Sequence, residues 1–464
     1  MSRDLCLFPG RKPSGADVSA LLPGDKSVSQ RVLIAAALCA RPVSILGLNE
    51  GATVSVLVDA LNLLGVRCEK KNGRWTVSGT LAPGGGAPRA DPSGEAQHAA
   101  EPPPLLHFGG SSAAARMMCG ILAGVGRAAI IDGNSSLRAR PMDWVVTPLR
   151  EMGARIDYLD KPGHLPLRLH PARLHPGTVT MEVASAQAKS AVLFAAAAAR
   201  VKLRVLTRGT SRDHTERILR AGGTPLSCID DVIEMEGVEL SLPDTVEIPR
   251  DPSAAAYVAA FHLMAARSGT LHLDGLCLNP TRLGFYDVLR SCGAEVVTGD
   301  VTVRAGEPTG SLEIAAGDAL KPFHIDNDRI VQGMIDEIPL AFALATRIPG
   351  TSSIENAAEL VFKETDRLET TRAMLSGFGA RIERIGHGLR CTGGVPLHPG
   401  RVDGYGDHRI AMSAAVLAAT LDAPSRITEG DCFAESFLRF GEVMAVLGTG
   451  VVRETAAVAE LSNG

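Results

Sequence analysis

Aromatic side chains make up only 4% of this 464-residue chain, with two Trp and four Tyr. That scarcity leaves no platform on which nucleic-acid bases could stack. A formal net charge of −4 supplies no basic field either, so general nucleic-acid binding is excluded. No apolar run approaches the roughly 20 residues that cross a bilayer. The first residues, MSRDLCLFPGRKPSGA, lack the charged-then-apolar layout of a secretory signal. A cytoplasmic protein without membrane contact is expected. The nine cysteines are scattered without a C-x-x-C pair, which suggests neither a zinc cage nor a disulfide framework. Lysine is scarce too: it occurs nine times among 47 basic residues. A lysine inside a motif is therefore less readily surface filler here.

What is present is a recurring unit. The pattern L-x-x-x-G, followed by Ala, Thr or Val, stands at Leu61–Gly65, Leu149–Gly153, Leu219–Gly223, Leu289–Gly293 and Leu375–Gly379. With Met for Leu, it returns at Met444–Gly448. A glycine just past a helix accepts the left-handed conformation that ends it. The alternation behind most copies, such as Ala154-Arg-Ile-Asp157 and Ala380-Arg-Ile-Glu383, reads as a strand. One helix–Gly–strand unit thus recurs six times, at spacings near 70 residues for three intervals.

Residues 81–106 are rich in Pro, Gly and Ala and are expected to be a mobile surface loop without function. Helices are predicted over Ser29–Ala40, Val54–Leu64, Ala113–Ala123, Met142–Met152, Ala186–Ala199 and His214–Arg220. Further helices are predicted over Ser253–Ala265, Leu283–Ser291, Ile335–Ala345, Lys363–Phe378, His408–Ala419 and Phe437–Leu447. Several are apolar all round, as in Ala191–Ala199, and such a helix is buried on every side. Helices inside and sheets outside, with three repeats per lobe, give two α/β domains. The chain is expected to cross between them near Leu21–Gly24 and Pro249–Pro252. Residues 1–21 with 252–464 would form one domain and 22–251 the other, with a ligand cleft between.

Five polar segments stand out, all expected at helix starts. Gly24-Asp-Lys26-Ser27-Val-Ser29-Gln-Arg31 opens a helix with cations, where free N–H groups and the helix dipole favour an anion. Leu137-Arg138-Ala-Arg140-Pro141 precedes another. Ser185-Ala186-Gln187-Ala-Lys189-Ser190 heads an apolar helix, where buried polar groups need partners. Asp336-Glu337 and Lys363-Glu364-Thr-Asp366-Arg367 bring carboxylates that burial and charge can drive apart in pKa, so that one holds a proton while another takes one. Glu364 and Arg367 are expected three apart on one helix face, where an ordinary ion pair competes with a functional role. Asp407-His408-Arg409 opens the last such helix. Together they suggest helix N-termini gathered around a polyanion.

The segments GDKSVSQR (24–31), SLRARPM (136–142), SAQAKS (185–190), SRDHTER (211–217), NPTRLG (279–284), MIDEIP (334–339), KETDR (363–367) and DHRIAM (407–412), in this order, resemble the 5-enolpyruvylshikimate-3-phosphate synthase family. The resemblance spans nearly the whole chain. It implies a two-domain inverted α/β barrel of six helix–strand repeats, three per domain. It implies transfer of an enolpyruvyl group from phosphoenolpyruvate to the 5-hydroxyl of shikimate 3-phosphate, with no metal or organic cofactor and a monomeric enzyme. Carried over residue by residue, Ser27, Arg31, Ser185, Ala186, Gln187, Arg212, Asp336 and Lys363 would hold shikimate 3-phosphate. Lys26, Arg140, Gln187, Arg367 and Arg409 would hold phosphoenolpyruvate, and Lys26, Asp336 and Glu364 would move protons. The motifs DHTER, SAQ-K and KETDR speak against the UDP-N-acetylglucosamine enolpyruvyl transferases.

The pattern breaks on the donor side. Relatives usually carry G-N-(A/S)-G-T-A-x-R in the loop that cradles the donor phosphate. This chain has Gly109-Gly110-Ser111-Ser112-Ala113-Ala114-Ala115-Arg116. Gly110 removes an amide and Ala113 a hydroxyl, and a side chain at Ser112 is expected to intrude where bare backbone approaches the phosphate. Near the C-terminus, Ala434-Glu435-Ser436 stands where many relatives have a lysine triplet, which would set a carboxylate against an anion. Two readings follow. One is a synthase with a remodelled phosphate loop. The other is a relative acting on shikimate 3-phosphate, or a similar cyclitol phosphate, by phosphate elimination or with another donor. A binding protein without activity is disfavoured, since Lys26, Asp336, Glu364, Arg367 and Arg409 all remain.

Overall fold

In a computed structural model, residues 3–8, 18–81, 102–266, 268–317 and 319–454 are described. The chain forms two compact units. The first comprises the N-terminal segment to Lys26, Asn49–Ala52 and everything from Pro249; the second comprises Ser27–Leu48 and Thr53–Ile248. Asn49 ties its short stretch into the first unit, donating from Nδ2 to Gly24 O (2.9 Å) and Ser436 O (3.0 Å).

The described residues build six sheets, three in each unit. One repeat of the second unit gives the pattern. Strand Gly177–Thr180 leads through helix Ala186–Ala199 to the parallel strand Leu203–Leu206. Helix His214–Ala221 and the antiparallel hairpin Leu226–Ile229/Val232–Met235 follow. The same order, a parallel pair followed by antiparallel strands, recurs in four other sheets, and the sixth, Gly269–Cys277/Glu307–Ala316/Val296–Arg304, has three strands. Two sheets are completed from a distance. Thr245–Glu247 pairs with Val43–Leu46, and Asp4–Phe8 lies between Ser425–Thr428 and Gly450–Glu454.

Each repeat carries two kinds of helix. The first kind is enclosed: Ala188–Ala198, Pro252–His262, Ile338–Ala345 and His408–Ala418 are buried without interruption. The second kind, such as His214–Ala221, keeps an exposed face. In the second unit, Ser112–Val125 lies directly on Ala186–Ala199. A Cβ on Gly120 would stand 2.0 Å from Ala191 O, and one on Gly124 2.4 Å from Ala195 O, so only glycine permits that approach.

All six repeat glycines have positive φ, from 84° at Gly65 and Gly379 to 103° at Gly153. In each copy the residue after glycine donates to the carbonyl of the pattern's first residue, as Thr224 N does to Leu219 O (2.9 Å). In each copy the glycine N–H also bonds three residues back. This is the Schellman closure, and its anchoring Leu or Met is buried every time.

The structure shifts several expected boundaries: the helices expected from Ile335 and Phe437 begin at Ile338 and Phe440. Residues 82–101 of the expected loop lie outside the described residues, but Leu105 and Leu106 belong to strand Leu105–His107. The helix expected from Lys363 starts at Arg367, because Asp366 caps it through Leu368 N (3.1 Å) and Glu369 N (3.3 Å).

Candidate functional site

In the first unit, helix starts bring the charged motifs together. Arg367, the first residue of its helix, is 1% exposed. Its Nε donates to Asp407 Oδ2 (2.8 Å) and its Nη2 to Asp407 Oδ1 (3.1 Å). Its Nη1 reaches Asp336 Oδ1 (3.2 Å), and its Nη2 also reaches Glu364 Oε2 (2.5 Å). Glu364 stands before the helix, not on its face, yet the ion pair weighed from the sequence is present. One planar guanidinium thus holds both expected proton-moving carboxylates at its two ends. Burial works against the charge of Arg367, but Asp407, Glu364 and Asp336 outweigh it and keep it ionised.

Lys26 begins the helix Lys26–Ala36, with its backbone N–H on Asp251 Oδ2 (3.1 Å). Burial, then the like charge of Arg409, push the lysine pKa down; Asp336, Glu364 and Asp251 oppose them without restoring it. A depressed ammonium gives up and regains its proton nearer neutrality. Arg409 lies behind Asp407, the cap of its helix. Its Nη1 is 3.9 Å from Glu337 Oε1, and its buried Nε donates to no described atom. Lys363 is turned to Glu359 (2.5 Å).

Sequence reasoning missed the layer beneath. Asp251 caps helix Pro252–Ala265 and, with Asp25, holds the buried Arg282 (3.2 and 2.7 Å). Burial alone would raise the Asp251 pKa, but Arg282, Arg409 and Lys26 bring it below the ordinary value. The Asp-Pro step at 251–252 was a readable cap signal; its partner some thirty positions on was not. Glu435, the carboxylate expected to repel a ligand, lies 3.4 Å from His408 Nδ1. Burial and the charges of Lys26 and Arg409 hold the His408 pKa far below 6.5, so the ring is neutral and this contact is not ionic.

In the second unit, Arg31 is buried on Thr215 Oγ1 (2.9 Å), Ser190 Oγ (2.9 Å) and Ser27 O (2.9 Å). Ser185 caps helix Ala186–Ala199, so Ser185, Ala186 and Gln187 sit together at its head, half-buried. Gln187 Oε1 accepts from Arg116 Nη1 (2.8 Å) and Ser112 Oγ (3.2 Å). Lys189 is held by Glu216 (2.7 Å), which accounts for that lysine structurally. Arg212 is half-buried just before helix His214–Ala221. Arg140 is buried with Nη2 3.3 Å from Ser136 Oγ.

The altered loop is tied to its neighbours through two side chains. The Ser112 hydroxyl donates to Gln187 Oε1 (3.2 Å). Arg116, which ends the loop pattern but had no assigned role, also donates to Pro141 O (2.7 Å) and lies over the Trp144 ring at 5.6 Å. It links the loop to Gln187 and to the Arg140 segment.

The profile of EPSP synthase (3-phosphoshikimate 1-carboxyvinyltransferase) matches residues 15–444. A 3-phosphoshikimate 1-carboxyvinyltransferase of Shouchella clausii is 33% identical over 429 residues, covering 92% of this chain and 96% of that one. One of Halorhodospira halophila is 36% identical over 442 residues, covering 95% and 96%. Among solved structures, an EPSP synthase from Acinetobacter baumannii aligns with a TM-score of 0.83 at 28% identity, covering 98% of this chain and 100% of that one. An enolpyruvyl transferase from Streptomyces tendae aligns at 0.76 and 17% identity, covering 98% and 100%, a likeness of fold.

Proposed function

We propose residue roles for a chain that belongs to the EPSP synthase family and, as a member, transfers the enolpyruvyl group of phosphoenolpyruvate to the 5-hydroxyl of shikimate 3-phosphate, releasing phosphate. In the second unit, Ser27, Arg31, Ser185, Ala186, Gln187 and Arg212 read shikimate 3-phosphate, while Arg140, Gln187 and the loop before Arg116 read phosphoenolpyruvate. In the first unit, Arg367 and Arg409 meet donor anions, and Asp336 and Lys363 contribute to the sugar acid. Asp336 takes the proton of the attacking hydroxyl as its oxygen bonds to the enol carbon. Glu364 or Lys26 delivers a proton to the methylene. The tetrahedral intermediate then returns one of its methyl protons to the same group and expels phosphate, which regenerates the double bond. Positioned cations stabilise the charge on phosphate and carboxylate throughout.

The observation that carries this reading is Arg367, buried and bridging Asp336 and Glu364 beside a lysine of depressed pKa. The named relatives are carboxyvinyltransferases, which favours transfer over elimination. Incubation with both substrates should yield phosphate and a product heavier by the enolpyruvyl group. Phosphate release from shikimate 3-phosphate alone, with a diene as the organic product, would instead establish elimination.

A further inference from the structure

The loop Gly109–Arg116 lacks the amide side chain that the family pattern places at position 110. The structure sets another amide beside the gap. Asn134 is fixed at three points: its backbone N–H donates to Gly109 O (2.9 Å), its carbonyl accepts from Arg138 N (2.9 Å), and its Oδ1 accepts from Leu137 N (2.9 Å) as the cap of helix Ser135–Arg138. The last bond settles which end of the amide is oxygen. Nδ2 therefore faces the loop, 3.4 Å from where a Cβ on Gly110 would stand, with Oδ1 at 4.0 Å. Among the described residues, Nδ2 donates to no protein atom, and Asn134 is exposed.

The loop itself is left open to an acceptor. Ser111, at the N-cap position of helix Ser112–Val125, makes no capping bond. Its hydroxyl donates to Thr53 O (3.0 Å) and accepts from Gln30 Nε2 (3.1 Å). Ser112 N donates to Gly110 O (3.0 Å), and the first-turn N–H groups beyond it receive no side-chain oxygen from Ser111.

We infer that Asn134 supplies the anion-binding amide that position 110 has lost, and so reads the phosphate of phosphoenolpyruvate. Bare Gly110 is what gives Nδ2 its line to the loop. The inference rests on the reading that this loop holds the donor phosphate.

The test is steady-state kinetics with both substrates varied. Asn134→Ser keeps a capping oxygen but removes the amide; Asn134→Asp keeps the cap and adds a negative charge. A hydrogen bond to a charged group is worth about tenfold to a hundredfold in affinity. N134S is expected to raise KM for phosphoenolpyruvate about tenfold, and N134D further still. KM for shikimate 3-phosphate should stay within about twofold in both. Gly110 does not have positive φ, so Gly110→Asn is sterically open, and adding it to N134S should recover most of the lost affinity. Turnover by the wild type with an N134S variant of unchanged phosphoenolpyruvate KM overturns the inference alone. A wild type that cannot use the substrate pair overturns the transfer reading and the inference together. Melting curves identify a variant that has simply unfolded, and N134D, with the stronger cap, then decides.

Discussion

Arg367 spends its donors on three carboxylates, Asp407, Asp336 and Glu364, so it acts as much by holding two of them in place as by meeting a ligand. Arg367→Lys keeps the charge but loses the planar fork; kcat should fall by about a hundredfold or more while melting changes little. Asp336→Asn and Lys26→Met should each lower turnover by about 10²- to 10⁴-fold, the range of a lost acid or base, with the fold intact by circular dichroism. His408 gives a pH prediction. The unfolded ring binds a proton near pH 6.5, whereas the native ring, buried and facing Lys26 and Arg409, does not. Stability from this group is therefore present above pH 6.5 and lost as pH falls below it. His408→Asn should flatten the slope of stability against pH between 6.5 and 5 by up to about 1.4 kcal/mol per pH unit, read from urea midpoints. Lys26, Asp336, Glu364, Arg367 and Arg409 could all be named from the sequence, because scarce lysine and clustered charges mark them. Asp251 and the partners of Asp407 and Arg282 escaped, because a helix-capping carboxylate looks the same whether or not a distant guanidinium also binds it.

Helices were the most legible elements, since both ends of the unit were written in the chain: cap residues at the start and the glycine closure at the end. Boundaries slipped where a cap was read as helix, as at Asp366. Helices Ser135–Arg138 and Asp328–Gly333 and strand His324–Ile325 are too short to show any period. One repeat signal went unread. Leu-His-Pro-Gly occurs at 174–177 and 397–400, and its histidines stand at equivalent places: a Cβ on Gly153 or Gly379 would meet His175 or His398 at 2.9 Å. Gly223 lacks any such neighbour within 4 Å and isolates the conformational cost. Gly223→Ala should destabilise by about 1–2 kcal/mol, and Gly223→Asn by less, since Asn visits the left-handed region more readily. Gly120→Ala must instead push two helices apart, and should cost about 1–3 kcal/mol or more by thermal denaturation.

At the scale of the whole molecule, the six-fold recurrence was readable because the glycine closure repeats, at spacings near 70 residues in three of its intervals. The long-range completion of two sheets was not, because nothing local distinguishes a strand that pairs with its neighbour from one that pairs across the chain. No helix among the described residues is long and apolar enough to cross a membrane. Shikimate 3-phosphate at a hundredfold excess over its Kd should raise unfolding free energy by about 2.7 kcal/mol, visible as a higher melting temperature. Phosphoenolpyruvate alone at the same concentration should do less. Asp4 is bound by Arg426 across 422 positions of chain, and the strand it belongs to is the inner strand of its sheet. At roughly 5–20 residues per second of synthesis, that strand emerges from the ribosome roughly 20–85 s before its seat exists. During that wait its alternating apolar residues, Leu5 and Leu7, have no docking place in this sheet, so the sheet closes only when translation is nearly finished.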